Sequence, residues 1–182
     1  MSTADIERLH QAAPVTADLL RRACGHFVTG VTVVTSGLGD QSAGTTVNSF
    51  TSVSLEPPLV LFCLHNQSRL RDVIEDTRAY VVNFLGGRQE KLARAFAGKN
   101  TASVKDVVHH NSAVGVPVLS EALTFLVCQL VNAFDGGDHT IFLGRVVELG
   151  APRADLDPLI FFRGSLGALE DQPRGIHAII DG

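Results

Sequence analysis

Tryptophan is absent, tyrosine and methionine occur once each, and three cysteines are spread over 182 residues. Three thiols cannot all pair within one chain, and Cys24, Cys63 and Cys128 form no CxxC, so neither a disulfide framework nor a dithiol redox motif is expected. The longest apolar runs, such as residues 59–64, fall far short of the roughly 20 residues of a membrane helix. No charged stretch followed by an apolar one opens the chain, so the expected compartment is a reducing cytoplasm. Basic charge is also scarce: 15 Lys and Arg stand against 19 Asp and Glu, a net charge of -4, and they are scattered. Neither nucleic acid nor a membrane is therefore expected as a partner.

Several catalytic signatures are missing too. GxSxG and HExxH do not occur, which leaves hydrolase templates without a foothold. Gly37-x-Gly39 with Gly44 lacks the spacing of a dinucleotide fingerprint and reads as a hairpin, and no P-loop is present. His109-His110 and Cys63-x-His65 have no second pair at zinc spacing, so no metal site is expected.

What is present is a β-leaning composition, with 17 Gly, ten Phe and only 19% charged residues. The length suits one domain, expected over residues 16–172, with a mobile leader at 1–15 and a tail at 173–182. Thr16 can cap an amphipathic helix through Leu19, Leu20, Ala23, Cys24 and Phe27, which makes Cys24 a core residue. Residues 28–35, 45–52 and 59–64 read as three strands of an antiparallel meander. Ser68 opens a short helix, residues 80–85 form a strand, and a helix through Leu92 and Phe96 stops at Gly98. Residues 100–117 read as a long loop. Two long strands, 123–131 and 140–149, flank a turn at Asp135-Gly136-Gly137-Asp138, and 159–162 is one more strand. Six or seven strands with a few short flanking helices favour an antiparallel barrel.

Two segments invite chemistry. Seven of the ten residues 45–54 are Ser, Thr or Asn, which fits either a solvated edge strand or a strand facing a polar ligand. Asn66-Gln67-Ser68-Arg69 opens a helix, so it offers free N–H groups, a hydroxyl and a guanidinium to a phosphate, though a plain helix cap is the simpler reading.

In order and spacing, Gly30-Val31-Thr32-Val33-Val34-Thr35, Thr46-Val47-Asn48-Ser49-Phe50-Thr51-Ser52-Val53-Ser54-Leu55-Glu56-Pro57-Pro58, Phe96-Ala97-Gly98-Lys99, Gly137-Asp138-His139-Thr140 and Phe162-Arg163-Gly164 resemble the flavin reductase-like family over residues 19–169. The resemblance implies a mainly β, antiparallel FMN-binding split barrel that works as a homodimer. It implies hydride transfer from NADH or NADPH to FAD or FMN, with reduced flavin supplied to a flavin-dependent monooxygenase. On that basis Thr46, Val47, Asn48 and Ser49 line the isoalloxazine and ribityl chain. Ser68 and Arg69 meet the phosphate, Lys99 reaches the phosphates or adenosine end, and Ser52 and Arg163 complete the flavin-binding set. Gly137 and Asp138 form a nicotinamide turn that sets His139 over the flavin ring as a positioning group. Two rival expectations are an FMN-bound oxidoreductase acting directly on a substrate or electron carrier, and a non-catalytic flavin-binding subunit.

Overall fold

The computed structural model describes residues 14–98, 102–152 and 156–168; the expected leader at 1–15, all but its last two residues, and the tail at 173–182 lie outside them. Its twelve strands are β1 (Thr29–Gly30), β2 (Thr32–Ser36), β3 (Ala43–Val47), β4 (Thr51–Leu55), β5 (Pro58–His65), β6 (Ala79–Phe84), β7 (His109–Asn111), β8 (Pro117–Leu119), β9 (Thr124–Gly136), β10 (His139–Leu149), β11 (Leu159–Phe162) and β12 (Ser165–Ala168). Among the described residues three α-helices accompany them: α1 (Ala17–Cys24), α2 (Arg69–Thr77) and α3 (Glu90–Ala95). The expected β class and short helices are found, with more strands than the alternation suggests and with β5, β9 and β10 longer than expected.

Seven strands form one antiparallel sheet in the order β3-β2-β6-β9-β10-β5-β4, beside a three-stranded sheet β1-β11-β12 and the hairpin β7-β8. The meander expectation fails here, because β3 and β4 stand at opposite edges of the large sheet although only residues 48–50 separate them. The sheet curls until β3 approaches β5. Ser49 spans that seam, its hydroxyl donating to the Cys63 carbonyl at 3.1 Å and accepting from the Cys63 N–H at 3.0 Å. The polar run 45–54 is therefore a strand broken in two where the barrel splits.

The barrel interior holds Val34, Phe62, Leu64, Tyr80, Cys128 and Phe142, and α2 closes one end with Leu70 and Ile74. A second cluster, with Val33, Leu85, Phe96, Leu119 and Leu159, joins the outer face of β2 to α3 and the small sheet. Both faces of β2 are thus covered, so all five of its residues are buried and its hydroxyls must find partners. Thr35 Oγ1 donates to the Pro117 carbonyl at 2.6 Å, and Ser36 Oγ to the Ala79 carbonyl at 2.6 Å. The expected strand at 28–35 is cut at Val31, whose N–H and carbonyl bond to Leu159 and Leu85 as the chain passes from one sheet to the other.

Asn83 is the buried polar tie of this layer. Its Nδ2 donates to the Val33 carbonyl at 2.9 Å and to Thr35 Oγ1 at 3.1 Å, and its Oδ1 accepts from the Leu119 N–H at 2.9 Å. Asn83→Ala leaves a buried N–H and a carbonyl unmatched, so a loss of about 2 kcal/mol is expected in urea unfolding.

Three further expectations are corrected. Residues 100–117 are not simply a loop: a 3-10 turn at Val104–Asp106 and the β7-β8 hairpin fall within or overlap them. Polar, three-residue strands such as His109–Asn111 carry no hydrophobic alternation to reveal them. Cys24 is exposed rather than core, since α1 has no buried residue and Leu19, Leu20, Phe27 and Val28 all stand in solvent. β12 was not expected; Arg163 (φ 49) and Gly164 (φ 83) form the two-residue link of its hairpin with β11, the positive-φ pair that a tight primed turn needs.

Candidate functional site

Where the barrel splits, a cavity of about 750 Å³ opens between β3, the start of α2 and the segment after α3. Ala43, Gly44 and Thr45 form one wall, His65, Gln67, Ser68 and Arg69 a second, and Gly98, Ser103 and Lys105 a third. Gly44 lets α3 close on β3, because a Cβ there would lie 2.9 Å from the Phe96 ring. Gly98, at φ +85, turns the chain out of the α3 terminus as expected. Lys99, its neighbour, lies outside the described residues.

The N-terminus of α2 supplies the anion-reading groups. Ser68 holds the cap position, but its hydroxyl makes no capping bond and faces no competitor in the helix. Arg69 is exposed on the cavity wall and enters no ion pair among the described residues. The first N–H groups of the helix have no carbonyl four residues back, and the helix dipole favours negative charge there. Across the cavity, Lys105 Nζ lies 2.5 Å from Asp40 Oδ1, and this ammonium holds the Asp40 carboxyl below the ordinary carboxylate range.

The β9-β10 turn is fastened to the same segment. Asn66 donates from its N–H to the Asp138 carbonyl at 3.0 Å and from Nδ2 to the Gly137 carbonyl at 2.8 Å. Thr140 Oγ1 donates to Asn66 Oδ1 at 2.8 Å, and Arg71 Nε donates to Thr140 Oγ1 at 3.2 Å. Gly137 takes φ 80 in the turn. His139 follows it, directly opposite His65 across β10 and β5, with the two rings edge to face at 5.4 Å.

Hydrogen bonding fixes how both rings are protonated when neutral. His139 Nδ1 lies 2.7 Å from Asp138 Oδ1; an ionised carboxylate only accepts, so Nδ1 carries the proton and Nε2 presents its lone pair. The same contact lowers the Asp138 carboxyl, which stays ionised below the usual carboxylate range. His65 Nδ1 accepts from the Gln67 N–H at 3.1 Å, leaving its proton on Nε2.

The sequence-expected set is thus divided. Ser68 and Arg69 line the cavity, and Gly137, Asp138 and His139 join them through Asn66 and His65. Thr46 sits beside the cavity wall but uses its hydroxyl on the Ala93 carbonyl at 2.7 Å, while Asn48 donates to Thr29 Oγ1 at 3.2 Å. Ser49 is engaged with Cys63, and Val47 packs on the barrel core. Ser52 is exposed on the edge strand β4, opposite Val60. Arg163 stands on the small sheet, its N–H donating to the Gly25 carbonyl at 2.9 Å and its guanidinium 5.0 Å from the Phe162 ring centre. Asp40 and Lys105 were not expected at the site, Gln67 was named only as part of the helix-opening segment, and His65 only in a rejected metal pair. Of these, His65 left a signal, its place three residues before Ser68 at the end of a buried strand.

Fold and site together define a small split-barrel protein with an anion-reading cavity and a histidine-bearing turn at its rim. The description "Flavin reductase like domain" matches residues 24–170. An NADH-dependent flavin reductase of Rhodococcus sp is 40% identical over 163 residues, spanning 86% of this chain and 90% of that protein. The reductase component of 4-nitrophenol 4-monooxygenase/4-nitrocatechol 2-monooxygenase of Rhodococcus opacus is 37% identical over 147 residues, 81% and 78% of the two chains. The solved NADH:FAD oxidoreductase SgcE6 of Streptomyces globisporus, in complex with NAD and FAD fragments, superposes with a TM-score of 0.80 at 36% identity, covering 91% of this chain and 100% of that one. The chain belongs to the flavin reductase-like family, and its class is that of the nicotinamide-dependent flavin oxidoreductases.

Proposed function

We propose that this protein oxidises NADH to reduce FAD or FMN and releases the reduced flavin to a partner monooxygenase. The observation that carries the reading is Asn66, whose three hydrogen-bonding groups fuse the Ser68–Arg69 wall to the Gly137–His139 turn. A phosphate reader and a ring-positioning histidine are thereby held as one rigid unit.

The donor set fits a flavin. Ser68 Oγ, the free N–H groups of α2 and Arg69 suit a terminal phosphate, and the backbone of 43–45 offers a polar wall to a flat ring. When bound, the dihydronicotinamide and flavin would supply the redox chemistry themselves, a hydride passing from the first to the second. The chain orients, and it needs no nucleophile or general base of its own. His139 Nε2 is the acceptor held ready for a carboxamide or ring N–H, and Asp138 keeps that tautomer in place. His65 and Asn66 limit the motion of the His139 ring from the other side.

A homodimer completes the reading. The apolar face of α1 and its continuation, with Leu19 at 41%, Leu20 at 56% and Phe27 at 76% exposure, has no cover among the described residues, and a second copy is its occupant. The three free cysteines suit the cytoplasm, and among the described residues no helix is long and apolar enough to cross a membrane.

The test is anaerobic mixing of purified protein with NADH and either flavin. Catalysed loss of flavin absorbance is expected, faster with NADH than NADPH, with one nicotinamide oxidised per flavin. Bleaching no faster than in buffer rejects the proposal.

A further inference from the structure

The cavity lining holds a second cation besides Arg69. Arg69 enters from the start of α2, and Lys105 enters from a different element, the 3-10 turn Val104–Asp106. These cations belong to elements far apart in sequence, yet both line the same space of about 750 Å³, a volume within the range of sites that enclose a whole cofactor. Lys105 is not bare: its ammonium lies 2.5 Å from Asp40 on the neighbouring 3-10 turn Gly39–Gln41, and both side chains are solvent-accessible, at 52% and 91% exposure. An ion pair this exposed is weak, because water screens it and two flexible side chains must be held in one geometry. A phosphate oxygen entering the cavity can therefore take the ammonium from the carboxylate at little loss.

Resting on the flavin-reductase reading, we infer that Lys105, masked by Asp40 until ligand arrives, is a second phosphate-binding group that makes this site select the dinucleotide flavin FAD over FMN. A mononucleotide has a single phosphate, which Ser68 and Arg69 satisfy. A pyrophosphate has two, on opposite sides of one bridging oxygen, and a cation on each of two walls matches that division. Ser103 adds to this wall; its hydroxyl accepts from the Lys105 N–H at 3.4 Å and so faces the same turn.

The experiment measures flavin dissociation constants by fluorescence quenching, without NADH, for FAD, FMN and riboflavin. Wild-type protein should bind FAD at least about tenfold more tightly than FMN, the lower end of what one charge-assisted hydrogen bond contributes. Lys105→Gln should weaken FAD by about tenfold and change FMN and riboflavin by less than about twofold. Lys105→Arg, which keeps the charge, should restore most of the FAD affinity. Asp40→Asn should tighten FAD by a few-fold and leave riboflavin unchanged. Equal losses for FAD and FMN in Lys105→Gln, or no loss for either, overturn the inference, as does a wild-type protein that binds FMN as well as FAD. These outcomes leave flavin reduction itself intact; failure of wild-type protein to bleach any flavin with NADH is the separate result that removes the underlying reading.

Discussion

His139→Ala is expected to lower kcat/KM for NADH by about 100-fold while leaving the flavin dissociation constant within about twofold, because misplacing one reacting ring by about 1 Å is enough to remove two orders of magnitude. The asymmetry follows from position. His139 stands at the first residue of β10, on a turn tied by Asn66 to the phosphate-reading wall but contributing no side chain to the cavity lining. On the proposed reading, flavin should lose little when the imidazole goes, while the dihydronicotinamide should lose the acceptor assigned to position it. Asp138→Asn gives a milder version of the same defect, since an amide no longer dictates which ring nitrogen of His139 carries the proton. Stopped-flow reduction at varied NADH, paired with flavin titration, separates the two constants. A parallel rise in the flavin constant would show that His139 holds flavin rather than nicotinamide.

Gly144→Ala is expected to destabilise the fold by 3 kcal/mol or more, at the upper end of what overpacking a core produces, and to lower the melting temperature by about 6–12 °C for a chain of this size. Gly144 is buried in the middle of β10, where its register against β9 shifts. A Cβ there would lie within hard contact of Tyr80, 2.7 Å from Cζ and 3.0 Å from Cε1, with the hydroxyl closer still. Tyr80 cannot swing away, because it is fully buried and packs edge to face on Phe62 at 5.0 Å, which in turn stacks on Phe142 at 5.5 Å. Its hydroxyl has no hydrogen-bond partner, and burial pushes the phenol's pKa upward and that of the neighbouring Cys128 thiol up to about 12, so both stay protonated. Tyr80→Phe therefore removes an unmatched polar atom and should rescue part of the Gly144→Ala loss in the double variant. Thermal melts of the two single variants and the double one decide this; strict additivity would place the clash elsewhere.

The parts of this fold that were legible in sequence are the locally determined ones. α2, β5 and β6 follow from short-range periodicity, and the 137–138 turn from glycine and aspartate flanked by apolar strands. Sheet order was not legible, because nothing local tells β4 to pair at the far edge from β3; that choice is made by the curl of the whole sheet. The apolar stripe of α1 was read correctly as a stripe and wrongly as core, since periodicity shows which face is apolar and not what will cover it. In the site, Ser68 and Arg69 were visible as a helix start that could equally be a plain cap, and His139 was singled out only by the family resemblance of its turn. His65 and Lys105 were not visible in their places: one meets His139 only through the β5-β10 register, and the other reaches the cavity only because the segment after α3 folds back over β3. Of the hydroxyls in 45–49, that of Thr46 joins β3 to α3 and that of Ser49 bridges the seam at Cys63, partners that no local pattern announces.

The account rests on the proposed direct hydride transfer from dihydronicotinamide to flavin. Single-turnover reduction of bound flavin under anaerobic conditions, with NADH deuterated at the transferred C4 position, tests it most directly. The account predicts that flavin bleaching slows with the deuterated donor and that solvent deuterium alone has little effect. Flavin bleaching that is indifferent to the C4 label, or absent when both ligands saturate the protein, would contradict it.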